Sequence, residues 1–151
     1  MKWLRRLEVG DKPWATKDEV AHYVDLMPDG THRQYTSIQE AKSVITAPSG
    51  GQKLLKQGYY DITGLAWSGR GTVEKVEVSV DGGRNWRPAR LEGPILPKAL
   101  TRFHSDWVWQ GEEALLQSRV TDSTGYIQPS RAELVQVRGT RSIYHNNAIQ
   151  T

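Results

Sequence analysis

The sequence predicts an all-β protein, an antiparallel β-sandwich of about seven strands preceded by an irregular N-terminal arm. Three observations predict it. Val76, Val78 and Val80 alternate with Lys75, Glu77 and Ser79, the period of two expected of a strand buried on one face. Asp81-Gly82-Gly83 follows at once, and glycine supplies the positive φ that a tight reversal needs before Trp86 on the return strand. From residue 59 onward, strand-like runs recur at sandwich spacing with no helix-length interval between them, which argues against a parallel βαβ sheet.

Residues 1–40 are charged, short in apolar runs and broken by Pro13 and Pro28, as expected of an arm with little sheet. Within it, Thr16 and Glu19 have capping-box spacing, and Val20, Tyr23, Val24 and Met27 have helical spacing, which predicts a short helix over 17–26. Met27-Pro28-Asp29-Gly30 would end that helix as a turn. The first sandwich strand is expected at 42–46, followed by a Pro-Ser-Gly-Gly loop within 47–58. The others are expected near 59–67, 73–80, 84–91, 100–109, 113–122 and 131–138. On 113–122, Ala114, Leu116, Ser118 and Val120 should point inward, with Glu113, Gln117 and Arg119 outward. On 100–109, alternation places Phe103, Trp107 and Trp109 on one face and Arg102, His104 and Asp106 on the other. Asp122 to Gly125 and Ile127 to Pro129 read as connecting turns.

Composition narrows the function. A chain of 151 residues suits one domain, which at this size buries roughly 70% of its unfolded surface. The formal charge is +3, but 20 Lys and Arg are interspersed with 17 Asp and Glu, giving no clustered footprint for nucleic acid. Arg5-Arg6 and Arg138 with Arg141 read as solvated charge. The absence of cysteine excludes disulfides, a thiolate nucleophile and Cys-ligated metal. No apolar run approaches the ~20 residues of a membrane span. The basic start through Arg6 meets Glu8 and Asp11 instead of an apolar segment, so no export signal is expected in this chain.

Several motifs reduce to shape. Gly64 to Gly71 superficially resembles a phosphate loop, yet Arg70 stands where its lysine belongs and Gly71 where its hydroxyl belongs. Ser79, Asp81, Gly83 and Trp86 match most of an Asp-box hairpin, with Asn85 in place of threonine, and a single copy cannot close a propeller. His22, His32, His104 and His145 lack the close spacing of paired metal ligands. Glu112-Glu113 and Asp18-Glu19 read as solvated carboxylates, and there is no GxSxG elbow. Arg102, with Lys98 or His104, is the one candidate anion site, because a guanidinium fork suits an oxyanion. The rival reading of that strand is a solvated polar face over an aromatic core.

KWLRRLEVGDKPW, KSVITAPSGG, GYYDITGLAWSGRGTVEKVEVSVDGGRNW, LPKALTRF, ALLQSRVTDSTGYIQPSR and IYHNNAIQ together resemble the C-terminal part of the molybdenum-cofactor sulfite oxidase family, in particular its sulfane dehydrogenase branch. The resemblance covers essentially the whole chain. It implies an immunoglobulin-like β-sandwich, residues 41–151, that forms a homodimer. Residues 1–40 would be the exit from a larger molybdopterin domain that this chain lacks, together with the cysteine that holds the metal. The resemblance further implies a cofactor-binding role for Lys2, in a VKWL motif where Met1 replaces valine, and a substrate-binding role for Arg102. It implies a periplasmic enzyme with a c-type cytochrome partner, oxidising sulfane or sulfite sulfur, in which this chain alone is inactive. A stand-alone carbohydrate- or protein-binding module using exposed Trp67, Trp107 or Trp109 is the alternative expectation.

Overall fold

The computed structural model describes residues 2–12, 14–17, 22, 24–26, 29–34, 38–139 and 147–150. The arm contains a short hairpin, β1 (Val24–Leu26) paired antiparallel with β2 (His32–Gln34). This corrects the expected helix over 17–26 across Val24–Leu26; residues 18–21 and 23 lie outside those described. The turn supplies the reason. Asp29 Oδ1 accepts from Thr31 N at 2.9 Å and from Thr31 Oγ1 at 2.6 Å, and Gly30 takes φ 83°, so the Asp-Gly step reverses the chain between two strands.

Two antiparallel sheets then make the sandwich. The first four strands of the sandwich are β3 (Lys42–Ala47), β4 (Gly58–Trp67), β5 (Val73–Ser79) and β6 (Arg87–Pro88). They are followed by β7 (Arg90–Glu92), β8 (Thr101–Trp109) and β9 (Gln117–Asp122). One sheet has the order β3-β4-β8-β7 and the other β6-β5-β9, the facing layers of an immunoglobulin-like sandwich. Their inner faces meet through Ile62, Ala66, Val73, Val76, Val78, Phe103, Trp107 and Val120. Gly64 stands inside β4 because its register partner Phe103 needs the space: a Cβ there would lie 2.1 Å from Phe103 Cζ and 2.3 Å from the Val44 carbonyl oxygen.

The expected strand over 84–91 divides between the sheets. Arg87–Pro88 pairs with β5 and Arg90–Glu92 with β8, while the Ala89 N–H between them donates to Val76 O at 2.8 Å. Pro88, which has no N–H, thereby sits on an edge strand where no donor is needed. The expected strand over 131–138 is instead helix α1 (Arg131–Arg138). Ser130 caps it: Glu133 N donates to Ser130 Oγ at 3.3 Å, and Ser130 N donates back to Glu133 Oε2 at 2.7 Å. Gly139 ends it at φ 74°, and Leu134 and Arg138, four residues apart, form its buried stripe.

Candidate functional site

A cluster of ionisable side chains brought together by the fold lies on the outer face of the four-stranded sheet. Register sets it: His104 stands between Thr63 on β4 and Arg90 on β7, and Arg102 between Leu65 and Glu92. His104 Nδ1 lies 2.7 Å from Asp61 Oδ2, and its Nε2 lies 3.4 Å from Glu92 Oε2. Ionised carboxylates only accept, so a ring that bonds both must carry both protons. The hydrogen bond to Asp61 holds the His104 pKa above its usual range, with Glu92 adding to it against the opposing effect of burial. Arg102 is exposed and shares Glu92, its Nε 3.5 Å from Glu92 Oε2. Beside them the Tyr59 hydroxyl donates to Asp106, which pushes the phenol pKa up.

Arg102 and His104 are thus joined through one carboxylate, and Lys98 is elsewhere, lining a groove with Trp67. Arg102 is held as the partner of Glu92, with Asp61 and Asp106 on the same face. The network pairs opposite charges across the sheet, His104 with Asp61 and Glu92, and Arg102 with Glu92. Its chemistry is that of a charge-matched surface crossing three strands.

The glycine-rich corner and the Asp-Gly-Gly turn serve the sandwich. Ser68 Oγ donates to buried Asp122 at 2.6 Å, and Asp122 also accepts from Thr124 N at 3.0 Å and Thr124 Oγ1 at 2.6 Å. Burial would raise the Asp122 pKa, and these hydrogen bonds more than reverse it, leaving the carboxyl below its usual range. Gly69 lets the Gln39 carbonyl approach, since a Cβ there would lie 2.4 Å from that oxygen. In the turn, Asp81 accepts from Asn85 N at 2.9 Å, Asn85 Nδ2 at 2.7 Å and Ser79 Oγ at 2.8 Å, which holds its carboxyl well below the usual range. Asn85 therefore fills the bracing position that threonine occupies in an Asp box. Ser79, placed outward by alternation, is buried by this network. Trp86 lies beneath Arg119, whose guanidinium carbon is 4.3 Å from the ring centroid.

Other sequence expectations fare differently. Lys2 is exposed and does not line the groove beside Trp67. Arg138, expected to be solvated, is buried and pairs with Glu40, while Arg141 lies outside the described residues. Trp107 is buried in the inner aromatic cluster with Tyr60 and Trp109, all centroid separations being 6.2 Å, so it offers no open binding platform. The Glu40–Arg138 pair escaped the sequence reading because its members lie far apart in the chain. The Ser68–Asp122 bond escaped it for the same reason, though both residues sit in quoted motifs. Among the described residues no group of three His, Cys, Asp or Glu side chains could hold a metal ion, and no helix is long and apolar enough to cross a membrane.

Comparison with known proteins adds a consistent set of likenesses. The model of the Mo-co oxidoreductase dimerisation domain matches residues 33–151. Sulfite oxidase of Gallus gallus is 32% identical over 156 residues, covering 94% of this chain and 34% of that protein. Mitochondrial sulfite oxidase of Homo sapiens is 40% identical over 114 residues, covering 72% of this chain and 17% of its own length. The crystal structure of the sulfane dehydrogenase SoxCD from Paracoccus pantotrophus superposes with TM-score 0.87 at 52% identity, over 99% of this chain and 39% of that one. The chain therefore spans about a third of the first of these curated relatives.

Proposed function

The chain belongs to the Mo-co oxidoreductase dimerisation domain family, and from that premise we propose that it is the homodimer-forming sandwich of a molybdopterin-dependent sulfane or sulfite dehydrogenase. The observation that carries this reading is the likeness to the sulfane dehydrogenase SoxCD over 99% of the chain at 52% identity. Residues 41–151 act as the pairing domain, and residues 1–40 lead to a cofactor-bearing domain. The complete enzyme works in the periplasm and passes electrons to a c-type cytochrome.

Among the described residues no group of three His, Cys, Asp or Glu side chains could hold a metal ion, and the chain has no cysteine. No chemical step is therefore assigned to them. Lys2 enters the reading as a residue that reaches the pterin from the arm, and Arg102 as one that meets the sulfur anion. For Arg102 this requires the guanidinium to leave Glu92, its partner in the chain by itself. In the complete enzyme, Arg102→Ala should raise KM for the sulfur anion with kcat less affected, because a group that contacts substrate and transition state alike contributes uniform binding. An unchanged KM removes Arg102 from the site.

Sedimentation of the purified chain at micromolar concentration tests the pairing. A dimer is expected, burying the ~1,200–2,000 Å² of a specific interface. A monomer across that range sinks the reading.

A further inference from the structure

We propose that the groove beside Trp67 receives an apolar segment of the larger domain to which the arm leads, so that this groove is the seam between the two. The inference rests on the reading above that such a domain exists. The groove has a volume of about 560 Å³, and Ile38, Gln39, Trp67, Gly69, Lys98 and Leu100 line it. Its rim is apolar and uncovered: Ile38 is 48% exposed and Leu100 62%. Ile95 and Leu96, in the loop that leads into β8, are also exposed. Neighbouring exposed aliphatic side chains around one concavity mark a surface meant to be covered.

Position identifies the occupant. Gln39 is the point at which the arm joins the sandwich: its carbonyl accepts from Gly69 N at 2.8 Å, and Ala41, two residues later, is fully buried. A domain carried on the arm is thus tethered at the lip of the groove, and tethering raises its effective concentration there above that of any free partner. Such a domain has room to exist, since the chain covers 39% of the similar sulfane dehydrogenase. The walls are shaped for contact. Lys98 is held at φ 57°, a conformation non-glycine residues seldom adopt, and its N–H donates to Gly71 O at 3.4 Å. Its ammonium at the rim favours an acidic group on the incoming segment.

The test uses the complete enzyme with Leu100→Glu on one wall, Ile38→Glu on the other, and Leu55→Glu, an exposed loop residue away from the groove, as control. The readouts are the rate of proteolytic cleavage in the arm, the sedimenting mass and the molybdenum content. Each groove variant should accelerate arm cleavage on the order of tenfold, the effect of losing one well-buried apolar contact, with dimer mass retained and the control unchanged. Dissociation of the dimer with the arm still protected would mean that a second copy occupies the groove, and would overturn the proposal. Wild-type cleavage in both variants of a molybdenum-loaded enzyme would overturn it too. A complete protein that binds no molybdenum defeats the underlying reading instead, a result distinct from a silent groove.

Discussion

At the scale of single residues, the sheet face is organised by His104. Its ring bonds Asp61 on β4 and Glu92 on β7 from the middle strand of the three, which requires the imidazolium form. The folded pKa is raised above the ordinary imidazole value of about 6.5. The stability it contributes is therefore fully present below about pH 6.5 and is lost as pH rises through the higher folded value. We expect the His104 ring to titrate above 6.5 by NMR, and Asp61→Asn to lower that midpoint, because the Asp61 hydrogen bond is the largest cause. A His104 midpoint untouched by Asp61→Asn would mean that the bond does not form in solution. Strand alternation alone placed Arg102, His104 and Asp106 on one polar face. It could not pair His104 with Asp61 or Arg102 with Glu92, since those meetings depend on the register of strands 43 and 10 residues away in sequence.

At the scale of elements, α1 separates what pattern can read from what it cannot. Ala132, Leu134 and Gln136 alternate with Glu133, Val135 and Val137, and such a run of β-branched and apolar residues fits a strand as well as a short helix. Eight residues are too few for periodicity to arbitrate. The deciding signal was nonetheless in the sequence, as Ser130 with Glu133 three positions on and Gly139 at the end. Ser130→Ala should cost about 1 kcal/mol of stability, read from the shift of a urea unfolding curve. A null effect would mean that packing of Leu134 and Arg138 holds the helix without its cap. Most other strands were legible, because one buried face imposes a period of two: Ala114 and Leu116 are half-buried, Ser118 and Val120 buried, as alternation required. The division of 84–91 was not, because periodicity marks a face and does not say which sheet a strand joins.

At the scale of the molecule, the sheets are closed on one another by a polar side chain that no pattern flags. Gln128 was legible only as part of a turn, yet it is among the most buried residues of the chain. Its amide oxygen accepts from Ser43 N at 2.9 Å and Ser43 Oγ at 2.7 Å, and its Nε2 donates to Ala148 O at 3.2 Å. One side chain therefore joins β3 of the four-stranded sheet, the turn after β9 of the other, and the C-terminal segment. Gln128→Leu keeps most of the volume and removes the acceptor, leaving the Ser43 amide and hydroxyl buried together without it. Each orphaned group costs ~1–3 kcal/mol, so the expected loss for the two is about 2–6 kcal/mol, larger than that of the Ser130 cap. The unfolding midpoint should fall with the denaturant slope unchanged, as it does when only native-state stability is altered. Adding Ser43→Ala removes one of the two orphaned donors, so the double variant should be less destabilised than the sum of the singles. Strict additivity would show instead that Ser43 and Gln128 act independently, and that the two sheets are held by apolar contact alone.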